Sequence, residues 1–189
     1  MPRLILLNGP PASGKSTLAR CFAADHPLTL VLDVDLVRGL LGGWLDQPQE
    51  AGLIARKLAL GMAQTQLADG RDVVVPQYLG RLDFVLALEQ VAVDAGAGFV
   101  ELALLLDPEV VMGRFARRSA QPQSQTHRDA ETLLERSGGV PALRGMCAAL
   151  LEVVASRPLT RTVRPVDGDV AETYRLVREA IGQPDVRTA

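Results

Sequence analysis

The chain has 189 residues, 48% of them hydrophobic and 22% charged, and a formal net charge of −2. That length fits one domain with a sizeable core that needs neither metal nor disulfide, and the composition excludes intrinsic disorder. The slight acidity argues against a dedicated nucleic-acid binder, and every apolar run meets a charge before the ~18 residues of a membrane span.

Leu4–Leu7 reads as a buried strand running into Asn8-Gly9, and Lys15–Ala24 as a helix. Leu28–Leu32 is strand-like and ends in Asp33-Val34-Asp35; Leu36–Leu41 is a short helix stopped at Gly42-Gly43. A longer helix follows Pro48 and ends at Asp69-Gly70. Its Ile54, Leu58 and Met62 recur at one interval and Leu53, Leu60 and Leu67 at another, which predicts a broad apolar face. Val73–Val75 is a third strand. Leu82–Val93 is a helix so apolar that burial on more than one side is expected. Phe99–Leu106 and Glu109–Arg118 add a strand and a helix. Ser119–Thr126 carries no charge and one apolar residue, and is predicted to be a mobile loop. Helices around Asp129–Arg136 and Ala142–Ala155, an exposed-edge strand at Thr160–Arg164, a last helix at Ala171–Ile181 and a frayed tail over 183–189 complete the chain.

Strands alternating with helices predict a three-layer α/β/α sandwich around a five-stranded parallel sheet, a single domain over 1–189. Ligands of such sheets sit at the carboxyl ends of the strands. Cys21 and Cys147 fit no metal-ligand spacing and read as reduced thiols. With no signal-like or membrane-spanning segment, a cytoplasmic protein is expected.

The first strand enters Gly9-Pro10-Pro11-Ala12-Ser13-Gly14-Lys15-Ser16, followed by Thr17. This is the G-x-x-x-x-G-K-[ST] spacing in its required strand–loop–helix setting. The glycines permit backbone conformations that a Cβ would block, so successive N–H groups converge on a phosphate at a helix N-terminus. Lys15 would reach the β- and γ-phosphates of ATP and Ser16 would offer its hydroxyl to Mg²⁺. Lysine is rare here, 2 against 18 arginines, so its presence at this one position is informative.

Asp33, Asp35 and Arg38 follow the second strand. At this point the chain resembles the P-loop kinases of small molecules and of polynucleotide 5′-ends, a group that includes zeta toxins, chloramphenicol phosphotransferases and the bacteriophage polynucleotide kinase. The resemblance covers roughly the first 120 residues and implies a nucleoside-monophosphate-kinase-like fold. It also implies that Asp35 is the general base towards an acceptor hydroxyl and that Arg38 binds the acceptor. The chemistry agrees, since phosphoryl transfer needs an in-line hydroxyl relieved of its proton. Asp33 is a candidate to orient the waters of Mg²⁺, and Asp35 is also a candidate helix cap.

Pro76-Gln77-Tyr78 after the third strand departs from the family, which carries an acid or Asn there; Gln77 cannot act as a base. Gln77 and Tyr78 are substrate-contact candidates, as is Arg81. Trp44, the only tryptophan, is a candidate wall of the acceptor pocket. By the resemblance, Arg114, Arg117 and Arg118 belong to a lid around 114–129 that closes over ATP, a task suited to the guanidinium fork. The Arg164–Gly168 turn is where such kinases pass the adenine ring. His127 is read as a loop residue, and Arg136 and Arg144 as weak acceptor candidates.

The expected function is therefore an ATP-dependent transfer of a phosphoryl group to the hydroxyl of a small molecule, with nucleic acid and membrane as unexpected partners. A polynucleotide 5′-hydroxyl kinase would use the same Asp35 and Arg38 but needs stacking aromatics, and the chain has only seven aromatic residues. The same motifs would also serve a zeta-toxin-like kinase of a nucleotide sugar, or a non-catalytic ATP-binding switch.

Overall fold

A computed structural model describes residues 1–182. The predicted tail at 183–189 lies outside them. In chain order the elements are β1 (Arg3–Asn8), α1 (Lys15–Asp25), β2 (Leu30–Val31), α2 (Val34–Gly39), α3 (Pro48–Ala68), β3 (Val73–Gln77) and α4 (Leu82–Asp94). There follow β4 (Gly98–Leu104), α5 (Pro108–Ala120), α6 (Gln125–Arg136), α7 (Val140–Ser156), β5 (Arg161–Val163) and α8 (Val170–Gly182). The sheet is all parallel, in the order β2-β3-β1-β4-β5. Among the described residues, no single helix is long and apolar enough to cross a membrane.

β1 lies at the centre, and its alternation divides the core. Leu4 and Leu6 pack with residues of α2, α3 and α4, whereas Ile5 and Leu7 pack with α1 and α8 on the opposite face. A strand buried on both sides is continuously apolar, which is why Leu4–Leu7 shows no polar alternation. A third, smaller cluster lies apart: Val111 and Phe115 of α5 with Leu143 and Cys147 of α7, joined by Leu134 of α6 and by Ala12.

Two apolar faces differ from expectation. The buried stripe of α3 is Ala51, Ala55, Ala59, Ala63 and Leu67, while Leu53 and Leu58 are 58% and 48% exposed. Small side chains let the helix backbone approach its neighbours, so the alanines take the inner face and the larger residues are displaced outward. Helix α4 buries Phe84, Val85, Leu88 and Ala92, but Leu86 and Val93 are exposed, so its burial is one-sided. The predicted loop is also shorter than expected. α5 continues to Ala120, and α6 starts at Gln125, capped by Ser124, whose hydroxyl accepts from the His127 N–H at 3.3 Å.

One buried polar network ties the edge of the sheet together. Glu101 of β4 accepts from Arg157 Nε at 2.7 Å and from Thr160 Oγ1 at 2.9 Å. Arg157 also pairs with Glu89 of α4 at 2.9 Å. Each charge has an opposite partner, the condition under which such burial is tolerated. The network holds the segment that leads into β5, a strand of only three residues.

Candidate active site

The loop from Gly9 to Ser16 leaves the carboxyl end of β1. A Cβ on Gly9 would stand 2.8 Å from Ser13 Oγ and 3.1 Å from Leu104 Cβ, so no larger residue fits there. Ala12 and Gly14 have φ of 62° and 94°, the left-handed backbone that turns successive N–H groups to one side. Gly14 is the N-cap of α1, so the positive end of that helix opens into the turn. Lys15 Nζ donates to the Pro10 carbonyl at 2.7 Å and reaches Ser13 Oγ at 3.4 Å. Burial pushes the Lys15 ammonium down to about 8, opposed first by the charge of Asp35.

Asp33 is the N-cap of α2, its carboxylate accepting from the Asp35 N–H at 3.0 Å. The cap role expected of Asp35 thus falls to Asp33, and Asp35 stands in the first turn with its side chain free of that duty. Burial first, and then Asp35, raises the Asp33 carboxyl above its usual range. Asp35 Oδ1 pairs with Arg38 Nη2 at 3.1 Å, and the Arg38 guanidinium lies 4.5 Å from the centre of the Trp44 ring. Arg118 of α5 stacks on Phe115 at 4.8 Å. Burial lowers the Arg118 pKa, opposed by Asp35 and then Glu131. One carboxylate, Asp35, is therefore the shared counter-charge of Lys15, Arg38 and Arg118.

Several buried polar atoms in this region have no protein partner: Arg38 Nε, Arg118 Nε and Nη2, Gln77 Oε1 and Ser119 Oγ. Unsatisfied groups of this kind are uncommon in native folds, and each calls for a partner such as water, an ion or a ligand. Gln77 stands beside Asn8 at the sheet's carboxyl edge, between the strands that lead to the phosphate loop and to Asp33. The Tyr78 hydroxyl lies over Gly80 and near Ala149 of α7, and burial raises its pKa. Arg81 is the exposed N-cap residue of α4.

The three arginines of the predicted lid separate. Arg114 donates from Nε and Nη2 to Asp167 Oδ1 at 3.1 and 2.7 Å. Arg114 and Arg117 line a cavity of about 270 Å³ with Ser13, Thr17, Pro165, Val166 and Thr173. Arg118 alone stands near Lys15 and Asp35. His127 is in the first turn of α6, where burial and then Arg118 lower its pKa. Arg144 pairs with Glu109 on the surface at 2.5 Å, and Arg136 Nη1 donates to the Leu45 carbonyl at 2.7 Å.

One residue escapes a reading of the sequence. Asn8, 1% exposed, donates to the Leu79 carbonyl at 3.0 Å and accepts from the Leu79 N–H at 2.9 Å, fixing the segment that carries Gln77 and Tyr78. Its position at a strand end before Gly9 is the signal that could have found it.

A strand–loop–helix phosphate cradle at the carboxyl edge of an all-parallel sheet defines a P-loop kinase-like fold, and that fold implies nucleotide binding. The AAA domain family model matches residues 4–138, and the chain belongs to that family. No curated protein sequence matches it. Among solved structures, the tunicamycin resistance protein of Deinococcus radiodurans is similar over 98% of each chain at 18% identity and a TM-score of 0.64. A protein provisionally described as a kinase, from Chloroflexus aurantiacus, is similar over 95% of this chain and 96% of its own, at 21% identity and a TM-score of 0.61. These likenesses show the fold.

Proposed function

We propose that the protein transfers the γ-phosphoryl group of ATP to a hydroxyl of a small molecule, with Asp35 as general base. The observation that carries this reading is the position of Asp35, the common counter-charge of Lys15, Arg38 and Arg118 beside the phosphate cradle. Lys15 and the Gly9–Thr17 loop, through the N–H groups of its residues other than Pro10 and Pro11, hold the phosphates. Asp35 accepts the proton of the acceptor hydroxyl as its oxygen bonds to phosphorus and ADP leaves. Arg38, held against Trp44, orients the acceptor together with Gln77, Tyr78 and Arg81. Arg118 offers two unpaired nitrogens, Nε and Nη2, to the phosphoryl being transferred. α5 and α6 serve as the lid around 114–129, with Arg114 and Arg117 facing the nucleotide base.

The donor set fits Mg²⁺. Ser16 and Asp33 are hard oxygen donors, and no group of three His, Cys, Asp or Glu side chains forms a cage among the described residues. An ion held mainly by phosphates and water, with one or two protein oxygens, suits such a site. When bound, Mg²⁺ neutralises phosphate charge. The free thiols of Cys21 and Cys147 fit a reducing, cytoplasmic setting.

The test is an acceptor screen by ATP consumption with mass detection of the phosphorylated product, run on three proteins. Asp35→Asn is expected to lower turnover at least ~10²-fold while keeping nucleotide affinity within a few-fold, as for loss of a general base. Lys15→Ala is expected to remove most nucleotide binding. Equal loss of affinity and turnover in Asp35→Asn would make Asp35 structural and overturn the assignment.

A further inference from the structure

Helix α3 has one covered flank and one bare one. Its buried stripe is Ala51, Ala55, Ala59, Ala63 and Leu67. At about 100° per residue, Arg56 and Leu60 stand to one side of that stripe, and Ile54, Leu58 and Met62 to the other. The first side is occupied: the Arg56 guanidinium lies over the Phe84 ring of α4 at 5.6 Å, and Leu60 packs on the main core. On the second side Ile54, Leu58 and Met62 are each at least 40% exposed. With Leu53, α3 leaves four large apolar side chains in water, and no other element among the described residues leaves more than two.

Gln66, one turn beyond Met62 on the same stripe, donates from Nε2 to the Leu28 carbonyl at 2.6 Å. The stripe therefore runs along the edge of the molecule at β2, an outermost strand of only two residues. Leu28 is itself exposed there. Leu36 and Leu40 of α2, the helix that follows β2, are exposed too, on the side of that helix turned away from Asp35 and Arg38. These six side chains expose on the order of 600 Å² of largely apolar surface, the top of the range for one patch on a monomer and close to the ~800 Å² each partner brings to a standard interface.

The order of residues along the stripe names the occupant. From either end it reads polar, apolar, apolar, apolar, polar: Glu50, Ile54, Leu58, Met62, Gln66. A closed dimer uses one patch twice about a two-fold axis, so the patch has to match its own reverse. With the axis at Leu58, an antiparallel copy of α3 sets Leu58 on Leu58, Ile54 on Met62 and Glu50 on Gln66. Gly61, on the outward side beside this stripe, has open space around it and no Cβ to hold two helices apart. Lys57, also outward, keeps its ammonium in water at the rim. We propose that the chain forms a two-fold dimer with a second copy of itself through this flank of α3, the two helices antiparallel and crossing at Leu58.

Sedimentation of the full chain from about 1 to 100 μM is expected to show the mass rising from 20.2 kDa towards twice that value. Leu58→Glu sets two carboxylates against each other at the axis and is expected to weaken the dimer about 100-fold. Far-ultraviolet circular dichroism equal to that of the native chain shows that the fold survives; Leu58→Ser is the second variant should it not. Ile54→Glu and Met62→Lys test the pairing itself. Each alone buries a charge against an apolar partner and is expected to be monomeric. Mixed in equal amounts, the two variants bring the new carboxylate onto the new ammonium at one contact and leave Ile54 on Met62 at the other, and are expected to recover the dimer. A native chain that stays monomeric at the highest concentration, a dimer unchanged in both Leu58 variants, or a mixture that remains monomeric overturns the proposal. A monomeric chain that binds phosphatidylserine vesicles in a Leu58-dependent way would give the flank to a membrane and overturns it equally.

Discussion

In one part of the site the candidate phosphate-binding groups come from consecutive positions, Gly9 to Thr17, between the central strand and α1. In the other part the candidate acceptor and phosphoryl groups come from α2, the Trp44 loop, the end of β3 and α5. The first region rests on the main core, beneath strands buried on both faces. The second is divided: α2 and the end of β3 rest on the main core through Val34, Val37 and Leu79, while α5 leans on the separate cluster of Val111, Phe115, Leu143 and Cys147, which also touches Ala12 of the phosphate loop. Backbone amides recognise a phosphate identically whatever the rest of the substrate, so that region needs one fixed loop. Acceptor recognition needs side chains, and its candidates are gathered from elements on two separate supports.

Phe115→Ala tests that division with the largest effect. Removing a buried aromatic ring costs about 3–5 kcal/mol. The loss is expected to fall on α5–α7, with hydrogen exchange accelerated there and the amides of β1 still protected. Uniform loss of protection across both regions would show a single cooperative unit and break the comparison.

The pH dependence of nucleotide binding sharpens the first region. Lys15 is pushed down to about 8 in the free protein, and the phosphates bind its charged form. Below pH 8 the ammonium is already present. Above it, affinity is expected to fall, approaching tenfold per pH unit, with proton uptake on binding. Calorimetry in buffers of different ionisation enthalpy reads that proton directly. The same shift, from an ordinary value of 10.5, makes burial of Lys15 cost less as pH rises from 8 towards 10.5, so stability of the free protein gains over that window. An affinity flat across pH 8 would show that Lys15 does not bear on the phosphates.

Arg114→Ala is the smallest effect. With Arg114 held by Asp167 beside the base cavity, its loss is expected to raise KM for nucleotide about fivefold and leave kcat within twofold. A fall in kcat alone would return Arg114 to the company of Arg118.

Much of this is readable in the chain. The alternation of elements, the all-parallel sheet and the edge position of β5 follow from apolar periodicity and from turn residues such as Asp69-Gly70. The cradle follows from spacing alone. What stays hidden depends on packing partners. The inner face of α3 defies its apolar pattern because close approach, not hydrophobicity, selects the alanines. Asp33 and Asp35 cannot be separated by composition, since only the start of α2 decides which of them caps it. Arg114 and Arg118 lie one turn apart, but the β5–α8 turn and the phosphate loop draw them to different tasks.

The Glu101 clamp has a consequence at a distance. Arg157 and Thr160 anchor the stretch entering β5, and the next turn, Pro165 to Asp169, walls the cavity beside Thr17. If this cavity takes the nucleotide base as proposed, a lesion at Glu101 would masquerade as weakened nucleotide grip, although Glu101 does not line it. Inherited or engineered changes on that far rim should be scored by affinity for ATP before they are filed as merely thermal.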